Sequence, residues 1–198
     1  MKVQQLSGLI GLMAVALTAC GASTGTTAAT PAPGALSGNS LVAPPQVASS
    51  QALSPDEQTI LNAVNAARAV PRDCDSTHHY GAAAPLTVNA ELSSAALAHS
   101  QDMYKNGYIE AAPHSGSDGS SPQQRIEAAG YRNWTSTGEN VAAGYTVGGG
   151  ADVVEAWLKS PGHCENIMNP KFREIGISYV ALKGARYNGF FTQDFGAK

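Results

Sequence analysis

Charge is what this chain has least of. From Gly21 to Leu53 there is not one charged residue, and Ala, Gly, Ser, Thr and Pro dominate the stretch. Such a segment buries too little apolar surface to offset its ordering entropy, so it is expected to be disordered. As a flexible coil its ends stand about 30 Å apart, the reach of a tether. No basic run occurs anywhere. Without Lys2, eleven bases stand against fifteen acids, a net charge of −4, which argues against nucleic acid as a partner. Long apolar runs are missing too. The longest, Leu9 to Ala19, is too short to span a bilayer comfortably. There is no internal repeat. Cysteine occurs three times, as Cys20, Cys74 and Cys164, with no second cysteine at the short spacing of a zinc knuckle.

The front end explains one of these cysteines. Lys2, the apolar run and small residues before a cut site read as a secretory signal peptide over residues 1–19. The stretch Leu17-Thr18-Ala19-Cys20 resembles the bacterial lipobox, which implies a lipidated Cys20 as the mature N-terminus. Two or more acyl chains hold a protein stably on a membrane. Gly21 and Ala22 carry no acidic retention signal, which resembles the default for export to an outer membrane where one exists. The expectation is an exported, lipid-anchored protein on the cell membrane or outer membrane, facing the periplasm or exterior. Residues 20–53 form the lipidated cysteine and tether, and 54–198 the folded domain, expected to be monomeric. These 145 residues suffice for one core.

Helix signals are local and clear. Ser54-Pro55-Asp56-Glu57 combines a capping box with proline at the first helical position, and Ile60, Leu61, Val64 and Ala67 then share a face. A second helix is predicted from Asn89 to Asn106, stopped by Gly107, with Leu92, Ala96, His99 and Met103 on one face. Ser121-Pro122 with Gln124 opens a third, ending before Gly130. Ala151 to Lys159 is a fourth, with Val153, Val154, Trp157 and Leu158 as its stripe. A fifth begins at Ser160-Pro161 and stops before Pro170. Then the period changes. Ile175, Ile177 and Tyr179 alternate with Gly176, Ser178 and Val180, as in a half-buried strand. Gly184 marks a turn, Tyr187 to Phe195 pairs back, and Gly138 to Gly144 supplies a third strand. Helices around a small antiparallel sheet make an α+β domain.

Two cysteines in one exported domain pair in preference to staying free. A Cys74–Cys164 bond would contribute about 4 to 5 kcal/mol by restricting the unfolded chain. A catalytic Cys164–His163 pair is the weaker reading, since adjacent side chains diverge and the base normally comes from elsewhere.

Six fragments in order carry a family resemblance: NAVNAAR (Asn62 to Arg68), LSSAALAHSQDM (Leu92 to Met103), HSGSDGSSPQQRIEAAGY (His114 to Tyr131), GENVAAG, AWLKSPGHCENIMNP and FTQDFG. Together they resemble the CAP superfamily of cysteine-rich secretory, antigen 5 and pathogenesis-related proteins, in its bacterial SCP-like branch. The resemblance implies a three-layer α-β-α sandwich. Eukaryotic members carry two histidines and two glutamates in a central cleft. His114 matches the first histidine, Glu139 the first glutamate and His163 the second histidine. The second glutamate falls near Ser160, and serine there puts a complete tetrad in doubt; Ser160 can equally cap the helix that presents His163.

Two imidazoles and a carboxylate can hold a divalent ion such as Zn²⁺ with a position left open. They can move protons, or form a hydrogen-bonded network that keeps a buried carboxylate satisfied. No convincing nucleophile accompanies them: Ser115 has no independent support. Ser160 and Trp134 are further candidates for the cleft, Trp134 with packing as the equal alternative. His99 reads as a core histidine, His78-His79 as a surface pair, and Asp118-Gly119 as a turn with no calcium-ligand ladder behind it. The leading expectation is a binding module for a small ligand, apolar or polar, with or without metal. A hydrolase of peptides or cell-envelope material and an envelope interaction protein without a small ligand are the alternatives.

Overall fold

A computed structural model describes residues 52–107, 109, 112–144, 150–181 and 187–198. The expected signal segment, Cys20 and nearly all of the tether lie outside the described residues, as does the Gly184 turn. The five expected helices form: α1 (Pro55–Arg68), α2 (Ala90–Asn106), α3 (Pro122–Ala128), α4 (Gly150–Leu158) and α5 (Pro161–Met168). Both capping boxes are closed, Ser54 with Glu57 and Ser121 with Gln124. Asn89 caps α2 by accepting from the Glu91 and Leu92 amides, and Gly107 ends it in the left-handed conformation at φ 66°. No helix among the described residues is long and apolar enough to cross a membrane.

The central sheet has the order β3-β5-β6-β4, from β3 (Thr87–Val88), β4 (Ser136–Ala143), β5 (Glu174–Ala181) and β6 (Gly189–Ala197). The expected antiparallel sheet holds for β4, β5 and β6, while the short edge strand β3 runs parallel to β5. A second small ladder, not expected from the sequence, pairs β1 (Arg72–Asp73) with β2 (His79–Tyr80).

Three layers result. On one face of the sheet, Ile175, Ile177, Phe191 and Phe195 pack with Ile60, Val64, Trp157, Ile167 and Phe172 from the α1, α4 and α5 side. The other face meets α2, where Met103 packs on Val141 and Phe190 and Ser100 hydrogen-bonds Thr192 at 2.8 Å. The half-buried reading of β5 is therefore corrected. Gly176 and Ser178, on the face expected to meet solvent, are buried. They are small because α2 lies directly on them. A Cβ on Gly176 would stand 2.0 Å from the carbonyl carbon of Leu92, far inside any van der Waals contact.

Three long-range ties fix α5. The Cys74–Cys164 disulfide is formed, with the two Cα atoms 5.5 Å apart. Asn166 donates to the Glu139 carbonyl and to the Asn140 side chain, at 3.1 and 3.0 Å. Arg68, at the end of α1, is fully buried. Its guanidinium donates to the carbonyls of Ile167 (2.6 Å), Asn169 (3.0 Å), Phe172 (3.2 Å) and Ala84 (2.8 Å). Burial, and secondarily Arg173, push its pKa down to about 10, so it remains a cation at neutral pH. Arg68→Met keeps the volume and leaves these acceptors without their donor. The expected loss is about 3 kcal/mol or more of unfolding free energy, read from urea titrations of the two proteins. A loss under about 1 kcal/mol would mean that water satisfies those carbonyls instead.

Candidate functional site

The site lies at the β4 edge of the sheet and is built around one carboxyl group. Glu139 sits on β4 facing the α2 side, with 2 % of its side chain exposed. Both oxygens are engaged. Oε1 meets His114 Nδ1 at 2.8 Å, and Oε2 accepts from Arg125 Nη2 at 2.6 Å. Arg125 projects from α3 and also donates to the carbonyls of His114 (3.2 Å) and Ser120 (2.8 Å). One guanidinium thereby holds the carboxylate and the loop that carries its imidazole. His99 of α2, fully buried, places Nε2 2.8 Å from the Pro113 carbonyl and 3.9 Å from Glu139 Oε1. Its burial lowers its pKa.

Asp194 lies beside Glu139 because β4 and β6 pair these two residues directly. It is almost wholly buried, at 1 % exposure, and its carboxyl oxygens meet no hydrogen-bond donor among the described residues. Burial, then the neighbouring Glu139, raise its pKa well above the carboxylate range, against a smaller opposing effect from Arg125. Two carboxyl groups packed side by side away from water each favour the protonated form of the other.

The second imidazole arrives from the other layer. His163 is on α5, and Asn140, the residue after Glu139, donates to its carbonyl at 3.2 Å. The His163 and His114 rings stand 6.5 Å apart between centroids, tilted by 49°. Burial and the neighbouring His114 lower the pKa of His163. The His114 side chain is 47 % exposed. With Nδ1 on Glu139, its Nε2 is the nitrogen left for a ligand.

Of the sequence candidates, the structure thus gathers His114, Glu139 and His163. Trp134 goes elsewhere: it packs on the cluster of Leu92, Ala95, Ile126 and Tyr131 and donates to Glu127 at 3.1 Å, so packing wins over the cleft. Ser160 stands at the N-cap position of α5 but makes no side-chain cap bond. Its backbone carbonyl alone starts the helix, accepting from Cys164 N–H at 2.8 Å. His78 and His79 are exposed, each bonded to an aspartate. Asp118 and Gly119 form the expected turn, with Gly119 at φ 82°. Sequence reasoning missed Arg125 and Asp194, although both lie within the quoted fragments.

Asp194 gives a pH test. A group whose folded pKa is raised contributes stability that is fully present below its unfolded pKa, near 4, and lost as pH rises toward the folded value. His99 and His163, with lowered values, act oppositely: their contribution is lost as pH falls below about 6.5. Comparing Asp194→Asn with wild type isolates the first effect. The variant's stability relative to wild type is expected to climb from about pH 4 upward, by up to ~1.4 kcal/mol per pH unit, in urea titrations across pH. A flat difference would show that Asp194 is ionised in the fold.

Comparison with known proteins places this geometry. The Cysteine-rich secretory protein family, CAP, matches residues 61–195. The chain is 38% identical over 96 residues to the uncharacterized protein YkwD of Bacillus subtilis (strain 168), covering 48% of this chain and 35% of that protein. It is 32% identical over 112 residues to the uncharacterized membrane protein YlbC of the same organism, covering 57% and 29%. The chain therefore spans about a third of the length of these curated relatives. Among solved structures, an extracellular protein containing a SCP domain from Bacillus anthracis str. Ames superposes with a TM-score of 0.55 at 25% identity, over 75% of this chain and 45% of that one. With six motifs in order, the three-layer sandwich and the matched span together, the chain belongs to the cysteine-rich secretory protein (CAP) family, alongside the bacterial SCP-domain proteins.

Proposed function

We propose that this is an exported binding protein, held on a membrane through a lipidated Cys20, whose His114–His163 face takes a small ligand together with a divalent ion. The observation that carries the reading is the half-exposed His114 imidazole, fixed by the buried Glu139 at one nitrogen and presented outward at the other. A carboxylate behind a histidine sets its tautomer and raises its basicity as a ligand. Glu139 serves from behind and not as a direct ligand, because His114 and Arg125 already occupy its two oxygens. The ligands to an ion such as Zn²⁺ are then the two imidazoles. On one tetrahedral ion, two imidazoles stand with centroids roughly 5 Å apart. His163 closes on His114 by about an ångström to reach that spacing, a rotamer adjustment at a half-buried side chain.

Binding is favoured over covalent catalysis by one fact: the Cys164 sulfur is spent in the disulfide. The extracellular character of the Bacillus anthracis relative supports export. Calorimetric zinc titration of the domain tests the site. His114→Ala and His163→Ala are each expected to weaken the same binding event at least tenfold, with both variants folded and His114→Ala lower in melting temperature because buried Glu139 loses the partner of one oxygen. Isotherms identical to wild type in both variants would remove the metal from the proposal. Mass spectrometry of unstripped protein then identifies any ligand that co-purifies.

A further inference from the structure

A second group of metal-ligating side chains lies away from Glu139, where the disulfide ties the β1–β2 segment to α5. Asp75 follows Cys74 in sequence, and Glu165 follows Cys164. The covalent bond brings the two carboxylates to one place, and His78 stands between them. His78 Nδ1 is 2.8 Å from Asp75 Oδ2 and 3.6 Å from Glu165 Oε1. One donor atom from each residue lies within 4.8 Å of the other two. We infer that Asp75, His78 and Glu165 form a divalent-metal site suited to Zn²⁺ or a similar transition ion, distinct from the His114–His163 face.

Three features support this. The separations fit: ligands on a tetrahedral ion at 2.0–2.1 Å stand roughly 3.3 Å apart, between the two distances the His78 nitrogen makes. The carboxylates are held in place before any ion arrives. Asp75 Oδ1 accepts from Thr77 N (2.7 Å), Thr77 Oγ1 (2.8 Å) and His78 N (2.8 Å), which leaves Oδ2 for the ion. Glu165 rises from α5 next to Cys164, whose disulfide fixes the backbone that carries it. Finally, two anionic oxygens and one imidazole nitrogen match a zinc-type ion, whereas hard ions such as Ca²⁺ take an all-oxygen shell of six to eight ligands. His78 gives up its hydrogen bond to Asp75 on binding, and both side chains then meet the ion. The three side chains are partly exposed, at 28 %, 48 % and 32 %, so an ion can enter and waters can complete its coordination.

The test uses the oxidised full chain and Zn²⁺ itself. Calorimetric titration is expected to show a binding event that His78→Ala and Glu165→Gln each weaken at least tenfold, and that His114→Ala leaves in place. Saturating Zn²⁺ is expected to raise the melting temperature of wild type, and of His114→Ala, more than that of His78→Ala. In ¹H–¹⁵N spectra the His78 ring and the amides of residues 75–80 shift on addition of Zn²⁺ and not of Ca²⁺. Zinc binding unchanged by both His78→Ala and Glu165→Gln overturns the site, as does an equal response to Ca²⁺. Loss of the event in His114→Ala alone would instead assign all zinc binding to the other face. The two proposals therefore fail separately.

Discussion

One buried cation fixes α5 against α1. Arg68 ends α1, yet three of its four acceptors, the carbonyls of Ile167, Asn169 and Phe172, belong to the end of α5 and the turn after it. The last carbonyls of a helix have no partner inside it, and here the end of α5 is buried, with Ile167 and Met168 in the core. Water cannot easily serve them. Arg68 supplies the donors from a fully buried side chain, and its fork geometry lets one residue satisfy several acceptors at once. The desolvation that lowers its pKa is a real cost. The hydrogen bonds offset it, and the result is an α5 whose position is set by α1. Everything α5 carries toward the functional surface inherits that position.

The sheet imposes the second constraint. Strand register makes Asp194 the neighbour of both Glu139 on β4 and Gly176 on β5. This row of three lies beneath α2, and it goes from no side chain at Gly176 to a carboxyl pair at the β4 edge. Where α2 approaches most closely, only glycine fits. Nearer the edge there is room for carboxyl groups, and they need partners. Arg125 from α3, His114 from the loop before it and His99 from α2 surround Glu139, while burial beside Glu139 raises the pKa of Asp194. The polar cluster sits at the edge because the middle of the sheet is too tightly covered to hold one.

Local signals made the helices legible in the sequence. A serine three residues before glutamate or glutamine, with proline between, acts within one turn, and α1 and α3 begin where Ser54 and Ser121 place them. The disulfide was legible because only two cysteines remained to pair. His114, Glu139 and His163 were legible through motif resemblance, not through any periodicity. Arg68, Arg125 and Asp194 were not, since their roles depend on which distant carbonyl or carboxyl they meet. Asp194 follows Thr192 and Gln193 and precedes Phe195, and no local signal tells that α2 covers its face of the strand. Trp134 and Ser160 misled for the opposite reason: their types suit a cleft wall and a cap, but the indole packs over the second core and the hydroxyl is left out of the turn.

Residues 163 to 165 show how one short helix serves three ends. Successive residues on an α-helix point about 100° apart, so neighbours in sequence cannot share a partner. His163 turns toward His114, Cys164 turns into the core and bonds Cys74, and Glu165 turns toward His78. That divergence rules out a catalytic pair of the adjacent His163 and Cys164 on geometry, before oxidation of the sulfur is considered. It also makes the disulfide more than a staple. Cys164 lies between the two histidine-bearing surfaces, so the bond that fixes it limits the rotation of α5 and thereby sets the distance each flanking side chain has to span. A helix of eight residues has little rigidity of its own. Arg68 at its end, Asn166 on the β4 backbone and Cys74 across the loop provide it from outside.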